Sequence, residues 1–313
     1  LRWFAEEAPR ATGSLGAAPG GAYNILTELK PVGICVLITP WNFPLAMATR
    51  KVGAALAAGC TTVLKPAPET PLTSFALAQI LADAGLPAGV VNVLTTSNAG
   101  EITEAMLTDR RVRKVSFTGS TEVGRILLRL AAGNVLKSSM ELGGNAPFVV
   151  AADADMATAL DSAMVAKLRN GGQSCVAANR FIVHTSRVDE FCDGFAQRMH
   201  QVRVGYSLDD DTELGAMISE QAIDGILELV GDAQEQGAQL VTGAERADRP
   251  GAFLTPGLLR DVPPDARCMT EEIFGPVAPV TSFDTFEEAV RLANNTEFGL
   301  VSFIQTGDLK TGL

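Results

Sequence analysis

A cysteine follows a glycine-rich turn in the segment Asn170-Gly171-Gly172-Gln173-Ser174-Cys175. Glycine lets a backbone approach a substrate closely. A thiol becomes a strong nucleophile when its surroundings lower its pKa from about 8.5. The segment therefore indicates either a catalytic cysteine that attacks an electrophilic carbon or a buried structural thiol.

An asparagine lies between two prolines in Pro40-Trp41-Asn42-Phe43-Pro44, directly after an apolar run. If that run is a strand of a parallel sheet, the asparagine lies at the carboxyl edge, where such sheets bind ligands. The prolines stiffen the turn, and an amide N–H is a suitable donor to an oxyanion. The alternative is a structural turn with a hydrogen-bonded Asn42.

Small residues connect a predicted strand to a predicted helix between Phe117 and Gly124, with Gly119 and Ser120 at the junction. Such a junction suits a phosphate group at the N-terminus of the helix. The segment lacks the G-x-G-x-x-G pattern of the common dinucleotide-binding turn. An ordinary helix cap is the alternative.

Two carboxylates stand beside glycines, Glu141 before Gly143-Gly144 and Glu272 in Glu271-Glu272-Ile273-Phe274-Gly275-Pro276. A carboxylate at a domain junction can act as a general base if burial raises its pKa. Solvated acidic groups are the alternative, and they are the commoner case.

The composition restricts the class of protein that carries these residues. The 313 residues are 47% hydrophobic, enough for a full core in two domains. The net charge of −11 argues against nucleic acid as the main partner. No apolar run is long enough to cross a bilayer, so no membrane partner is expected.

The cysteine and histidine content narrows the chemistry further. Five cysteines without a C-x-x-C pair are typical of free thiols in a reducing cytoplasm. Only two histidines occur, so neither a histidine-centred triad nor a metal site is expected.

Strands and helices alternate along the chain, which predicts doubly wound parallel sheets. Residues 14–30 are predicted to form an exposed hairpin arm, and the glycine pair after Glu141 divides the chain into domains 1–141 and 142–313. The predicted strands cover 32–38, 61–64, 90–94, 112–117, 148–150, 181–184, 239–242 and 280–283. The predicted helices cover 45–58, a helix capped by Thr70 that begins at Pro71, one from about 98, and 120–132, 155–169, 188–202, 220–236 and 286–294.

Taken together, the motifs closely resemble those of the aldehyde dehydrogenase family, in order and spacing over essentially the whole chain. They are Pro-Trp-Asn-Phe-Pro, Lys65-Pro66, Phe-Thr-Gly-Ser-Thr, Glu-Leu-Gly-Gly-Asn-Ala-Pro, Gly-Gln-Ser-Cys and Glu-Glu-Ile-Phe-Gly-Pro. The resemblance implies a Rossmann-like cofactor domain, an α/β catalytic domain and a small β oligomerisation arm.

The resemblance also implies roles for individual residues. Cys175 matches the nucleophile, Asn42 the amide that holds the oxyanion and Glu141 the general base. The cofactor, NAD or NADP, is expected to contact Trp41, Asn42, Lys65, Pro66, Ala67, Pro68, Gly119, Ser120, Leu142, Glu272 and Phe274. The implied reaction is aldehyde oxidation through a thiohemiacetal and a thioester at Cys175, followed by hydrolysis with water that Glu141 activates.

Two arginines resemble those of the succinate-semialdehyde branch of the family. Arg50 and Arg169 match positions that bind the carboxylate of the substrate, a task for which guanidinium groups are suited. Glutarate semialdehyde is the close alternative because one methylene discriminates weakly. Structural ion pairs at both arginines are the other alternative.

Cofactor preference is predicted from the third residue after Lys65, where NAD-selective relatives have a glutamate. Pro68 occupies that position here and Glu69 follows it. Without the carboxylate, repulsion of a 2′-phosphate is reduced. NADP is therefore expected to be accepted and preferred, unless Glu69 takes over the missing role.

Two rival hypotheses remain. A binding protein built on an inactive dehydrogenase would lack the nucleophile or the base, and both are present. A cysteine hydrolase would need a partnering histidine, and no recognisable motif contains one.

Family members extend further at both ends, and the chain ends at Leu313 before their later Asn-Thr-Gly and Pro-Phe-Gly-Gly segments. The 313 residues by themselves are therefore expected to be a catalytically impaired fragment and a poor oligomer, whereas the full-length form is expected to be a homo-oligomer.

Overall fold

The computed structural model describes residues 1–313, and the chain divides into two compact units, Leu1–Leu142 and Gly143–Leu313. In both, helices alternate with strands of a mainly parallel sheet, so the predicted α/β class is confirmed. No helix is both long and apolar enough to span a membrane.

The elements of the first unit follow in chain order: α1 (Arg2–Glu7), β1 (Ser14–Ala17), β2 (Asn24–Thr27), β3 (Ile34–Ile38), α2 (Pro44–Ala57), β4 (Thr62–Lys65), α3 (Pro71–Asp83), β5 (Val91–Val93), α4 (Ala99–Thr108), β6 (Val112–Thr118), α5 (Thr121–Gly133) and β7 (Lys137–Glu141). Strands β3 to β7 form one parallel sheet in the order β5-β4-β3-β6-β7. Strands β1 and β2 form the expected antiparallel hairpin.

Alternation along β3 explains why this sheet is covered on both faces. Val36 packs with Leu107 of α4 and Leu127 of α5 in one cluster. Its neighbour Leu37 packs with Val52 of α2 in another. Successive residues of a strand point to opposite faces, so the continuously apolar strand needs helices on each side.

The elements of the second unit are β8 (Ala146–Val150), α6 (Met156–Leu168), β9 (Ala178–His184), α7 (Val188–His200), α8 (Glu220–Glu235), β10 (Gln239–Thr242), β11 (Gly257–Arg260), α9 (Arg267–Thr270), β12 (Val277–Phe283), α10 (Phe286–Asn294), β13 (Phe303–Gln305) and α11 (Leu309–Gly312). The sheet order is β10-β11-β12-β9-β8-β13, parallel except for the edge strand β10. Its largest cluster places Phe148 and Phe181 against helices α6 and α7.

Three of the differences from the sequence prediction involve polar or turn residues. Strand β9 begins at Ala178 rather than at residue 181, because the polar side chains of Asn179 and Arg180 are buried within the strand. Strand β11 was not predicted, since its four residues follow a proline and begin with glycine. Thr70 does precede α3, but its hydroxyl makes no capping hydrogen bond and is buried without a partner.

Candidate functional site

Four strands of the first unit end beside residues that the sequence singled out. Asn42 follows β3, Lys65 ends β4, Gly119 follows β6 and Glu141 ends β7. All four strands are parallel, so these residues share the carboxyl edge of the sheet. The strand order reverses direction between β3 and β6, and such a switch point is where open α/β sheets form a ligand crevice.

The N-terminus of α5 lies at this edge and is suited to an anion. Ser120 is the N-cap, and its hydroxyl accepts a hydrogen bond from the Val123 amide at 3.4 Å. A Cβ at Gly119 would lie 2.4 Å from the ring of Phe117, so only glycine fits there. The remaining amides of the first turn can donate to a phosphate.

Lys65 is almost fully buried, and its ammonium donates to the Pro66 carbonyl at 3.3 Å. Burial lowers the pKa of Lys65, and the nearby carboxylate of Glu69 opposes that shift. Ala67 beside it is buried and Pro68 is exposed. Lys65 and Glu69 therefore attract each other.

A cavity of about 470 Å³ lies between α2 and the sheet. Its lining includes Glu141, Arg50 and Lys51, so one cavity brings together the predicted general base and one predicted substrate arginine. Arg50 and Glu141 are exposed, whereas Lys51 is buried.

Lys51 is a residue of this cavity that the sequence motifs did not indicate. Its ammonium donates to the Ser116 hydroxyl at 2.8 Å. Burial lowers the pKa of Lys51 to about 8, and attraction by Glu141 opposes the shift. The available signal was a lysine on the face of α2 that carries the buried residues Ala48, Val52 and Ala55.

In the second unit the loop that leads to Cys175 leaves α6 through a left-handed turn. Asn170, Gly171 and Gly172 have φ values of 54°, 67° and 74°. Left-handed backbone is accessible to glycine and tolerated by asparagine, which explains this residue choice. A Cβ at Gly172 would lie 2.2 Å from the Gly275 carbonyl oxygen, so the turn also packs tightly against the segment that contains Glu272.

Gln173 fixes the loop from inside. Its side-chain amide donates to the Asn170 carbonyl at 3.2 Å and accepts from the Ile218 backbone at 2.9 Å. The Asn170 amide returns a hydrogen bond to the Gln173 carbonyl at 3.2 Å. Cys175, two residues further, is half-buried and so retains access to solvent.

Gly143 and Gly144 bring Cys175 and Glu272 together. The Gly144 amide donates to Glu272 Oε1 at 3.2 Å. A Cβ at Gly144 would lie 2.3 Å from the Cys175 carbonyl oxygen, and one at Gly143 would lie 2.7 Å from Glu272 Oε2. The glycine pair therefore permits both close approaches, which a side chain at either position would block.

Glu272 is half-buried, and burial raises its pKa to about 7. The Gly144 amide and the charge of Lys167 oppose that shift. Phe274, two residues on, is held at a φ of 50°. Lys167 is a second residue that the sequence analysis missed, and its only signal was its place two residues before Arg169.

A buried polar network supports the Glu272 segment. The Asn179 amide donates to Asn145 Oδ1 at 2.6 Å, and its oxygen accepts from the Ile273 amide at 3.3 Å. The Asn145 amide donates to the Met269 carbonyl at 2.9 Å, and the Arg180 guanidinium donates to the Asn145 carbonyl at 3.0 Å. The polar residues before the apolar part of β9 were the signal for this network.

In the first unit, the N-terminus of α5 suits the phosphates of a dinucleotide. In the second unit, the Gly144 amide holds the Glu272 carboxylate, whose oxygens can accept hydrogen bonds from hydroxyl groups. No group of three or more His, Cys, Asp or Glu side chains is arranged to hold a metal ion.

Comparisons with known proteins agree with the fold and the motifs. The model of the aldehyde dehydrogenase family matches residues 1–313. A succinate-semialdehyde dehydrogenase of Paenarthrobacter nicotinovorans is 53% identical over 98% of this chain and 68% of its own length. The crystal structure of succinate-semialdehyde dehydrogenase from Burkholderia pseudomallei is 43% identical with a TM-score of 0.97, over 99% of this chain and 64% of that one. The NAD+ complex of an aldehyde dehydrogenase from Bacillus cereus is 36% identical with a TM-score of 0.95, over 99% and 63%.

The chain thus spans about two thirds of the length of these relatives. Within that span the family motifs occupy the strand ends and the Cys175 loop described above. The chain belongs to the aldehyde dehydrogenase family.

Proposed function

We propose that this protein oxidises succinate semialdehyde to the carboxylic acid with NADP or NAD, through a covalent intermediate at Cys175. The observation that carries the proposal is the approach of the Cys175 carbonyl and the Glu272 carboxylate to one glycine pair, Gly143 and Gly144. The pair lets the nucleophile loop and a cofactor-binding carboxylate occupy neighbouring positions in a single unit.

Each step of the proposed reaction is assigned to particular residues of the chain. The Cys175 thiolate attacks the aldehyde carbon, and the Asn42 amide and the Cys175 backbone N–H donate to the oxyanion. A nicotinamide bound against Glu272, Phe274, Trp41 and Leu142 would supply the acceptor for the hydride. Glu141 then takes a proton from the water that hydrolyses the thioester. Lys51 lines the same cavity as Glu141, and the attraction between the two opposes the effect of burial on the pKa of Lys51.

The activity is tested by mixing the purified chain with succinate semialdehyde and either cofactor and recording the absorbance of the reduced nicotinamide. Cys175→Ser is the control and should abolish the signal. Ester hydrolysis without cofactor reduction would instead support the cysteine hydrolase. Alkylation of Cys175 gives an independent readout, and bound cofactor should slow it. If Cys175 is not alkylated and the chain shows no turnover, the proposal is refuted.

Substrate choice is assigned to Arg50 and Arg169. Arg50 lines the cavity that Glu141 shares, and Arg169 lies at the turn into the nucleophile loop. Relatives named succinate-semialdehyde dehydrogenase support this choice. Arg169→Ala should raise KM for succinate semialdehyde far more than for a neutral aldehyde, and equal effects on both would sink the assignment. Glutarate semialdehyde, compared in the same assay, is the close alternative.

NADP preference is assigned to the exposed Pro68, which stands where NAD-selective relatives have a glutamate. The attraction between Glu69 and Lys65 weakens the lysine as a partner for a 2′-phosphate. Glu69→Gln should therefore raise the ratio of kcat/KM for NADP over NAD. A strong NAD preference in the unmodified chain would refute the assignment.

The full-length form is proposed to be a cytoplasmic homo-oligomer. The hairpin of β1 and β2 supports the oligomer, because all eight of its strand residues are exposed and it has a free edge. The buried thiols Cys35 and Cys60, which interact without a disulfide, support a reducing compartment.

A further inference from the structure

A lysine that the proposed reaction does not use is buried in the second unit. Lys167 lies in the last turn of α6 with 1% of its surface exposed. Lysine is almost never fully buried unless its charge is compensated. Its neighbour Arg169, by contrast, is exposed. The buried ammonium therefore needs a partner.

The backbone places Lys167 against the segment that contains Glu272. A Cβ at Gly172 would lie 3.1 Å from the Lys167 carbonyl oxygen and 2.2 Å from that of Gly275. The end of α6, the left-handed turn and the Glu272 segment thus meet at Gly172. The titratable groups that act on the ammonium are both in that segment, Glu272 and the thiol of Cys268.

Lys167 and Glu272 oppose the effect of burial on each other. Burial lowers the pKa of Lys167 to about 7, and Glu272 counteracts this. Burial raises the pKa of Glu272 to about 7, and Lys167 counteracts that. The attraction favours the form in which the lysine carries the proton and the carboxylate is ionised.

Other charges near the segment are already paired. Arg267 binds Glu271 at 2.7 Å and Glu228 at 2.7 Å. None of these three acts on Glu272, whose charged partner is Lys167.

We infer that Lys167 is a positioning residue for Glu272, because its buried ammonium attracts the carboxylate and helps to hold it at the Gly143-Gly144 pair. This inference deepens the proposed function and rests on it, because Glu272 is the carboxylate assigned to the cofactor ribose. An ionised carboxylate accepts hydrogen bonds from two hydroxyls, whereas a protonated one has lost part of that capacity. The charge of Lys167 thereby extends towards lower pH the range over which the ribose is held, against the effect of burial.

The first test is a cofactor-binding cycle with Lys167→Met, Glu272→Gln and the double variant, measured by quenching of tryptophan fluorescence from pH 6 to 9. Lys167→Met should weaken binding about fivefold at pH 7, because a rise of one unit from a pKa of about 7 lowers the ionised fraction of Glu272 from about a half to about a tenth. In the Glu272→Gln background, the same substitution should change binding less than twofold. Lys167→Arg should retain binding near the wild-type level. Lys310→Met, which removes an exposed charge in the same unit, is the matched control.

The second test needs no cofactor and follows thermal unfolding against pH. A lysine whose folded-state pKa is lowered from 10.5 to about 7 destabilises below pH 7, and stability is regained as the pH rises towards 10.5. Lys167→Met should remove this rise. Glu272→Gln should move its onset to lower pH, because Glu272 supports the charged lysine.

Each outcome bears on the inference. Equal losses of cofactor affinity from Lys167→Met in both backgrounds, or the same pH onset with and without Glu272, would show that Lys167 only fills space, and would overturn the inference. A chain that binds no cofactor but shows the shifted onset would contradict the proposed function and leave the pairing of Lys167 with Glu272 supported.

Discussion

Three residues, Glu141, Lys51 and Gly144, lie where single substitutions should affect the proposed chemistry most directly. Glu141, Lys51 and the cavity they share lie in the first unit, and Gly144 packs against the Cys175 loop in the second. We expect a substitution at Lys51 or Gly144 to change the charge or position of a proposed catalytic group more than it disturbs the hydrophobic core. Activity and stability should therefore respond differently to substitution here.

Gly144→Ala should reduce turnover about a hundredfold, because a Cβ would lie 2.3 Å from the Cys175 carbonyl oxygen and must displace the loop. Gly231→Ala is the matched control. Gly231 lies within α8 with nothing within 4 Å of the added Cβ, so that change should stabilise the protein by about 0.5–1 kcal/mol. Steady-state kinetics and thermal unfolding of both variants check the prediction. Normal turnover in Gly144→Ala would mean that the loop can move without consequence.

Lys51→Met should lower turnover about tenfold while it raises stability near neutral pH. The folded-state pKa of Lys51 is lowered from 10.5 to about 8 by burial, so its charge destabilises the fold below pH 8. The advantage of the variant should shrink as the pH rises from 8 to 10.5. The loss of turnover follows because Glu141 loses the cation that attracts it.

Lys114→Met is the control for Lys51, since Lys114 lines the same cavity and donates to Ser139 at 2.6 Å. It should keep most of the activity. Equal kinetic losses in both variants would point to a general effect of positive charge in the cavity and away from a specific partner for Glu141.

At the scale of elements, helix starts differ in how they are held. The Ser219 hydroxyl accepts a hydrogen bond from the Ala222 amide at 3.1 Å at the start of α8. Thr70 has the equivalent position before α3, but its buried hydroxyl has no hydrogen bond. A proline at the first position of α3 presets the backbone and partly replaces the cap.

Ser219→Ala should therefore cost about 1 kcal/mol of unfolding free energy, because a capping hydrogen bond is lost. Thr70→Val keeps the shape of the side chain and removes a buried hydroxyl without a partner, so it should be neutral or stabilising. Denaturant unfolding of the two variants gives the comparison. A loss of about 1 kcal/mol in Thr70→Val would show that the hydroxyl caps the helix in solution after all.

At the scale of the whole molecule, the hairpin of β1 and β2 carries apolar side chains that its own unit does not cover. Leu15 and Leu26 face each other across the two strands and are 73% and 70% exposed. A free strand edge with exposed apolar residues favours pairing with another chain.

The double substitution Leu15→Thr and Leu26→Thr should reduce concentration-dependent self-association, as measured by size-exclusion chromatography with light scattering. Leu208→Thr serves as the control because Leu208 is 94% exposed but lies outside the hairpin. An unchanged profile in the double variant would show that the hairpin does not mediate association.

The sequence by itself determined the fold class and the family. Continuously apolar strands alternating with helices can bury both faces only as a doubly wound sheet, and the order of the motifs is a property of the chain alone. Local chemistry also predicted the hairpin and the helix that starts after Asn98, whose side chain accepts from the Glu101 amide at 3.3 Å. The roles given to Cys175, Glu141 and Asn42 stay predictions.

Only the tertiary structure decided how charged and polar groups are paired in the interior. Nothing local distinguishes Lys51 or Lys167 from a surface lysine, because burial and the carboxylates that attract them come from distant parts of the chain. The same holds for Asn179 and Arg180. Their hydrogen-bond partners lie 34 to 113 residues away, so the sequence did not predict that β9 begins before them. Desolvation and hydrogen bonding depend on neighbours in space, and periodicity in the sequence carries no record of them.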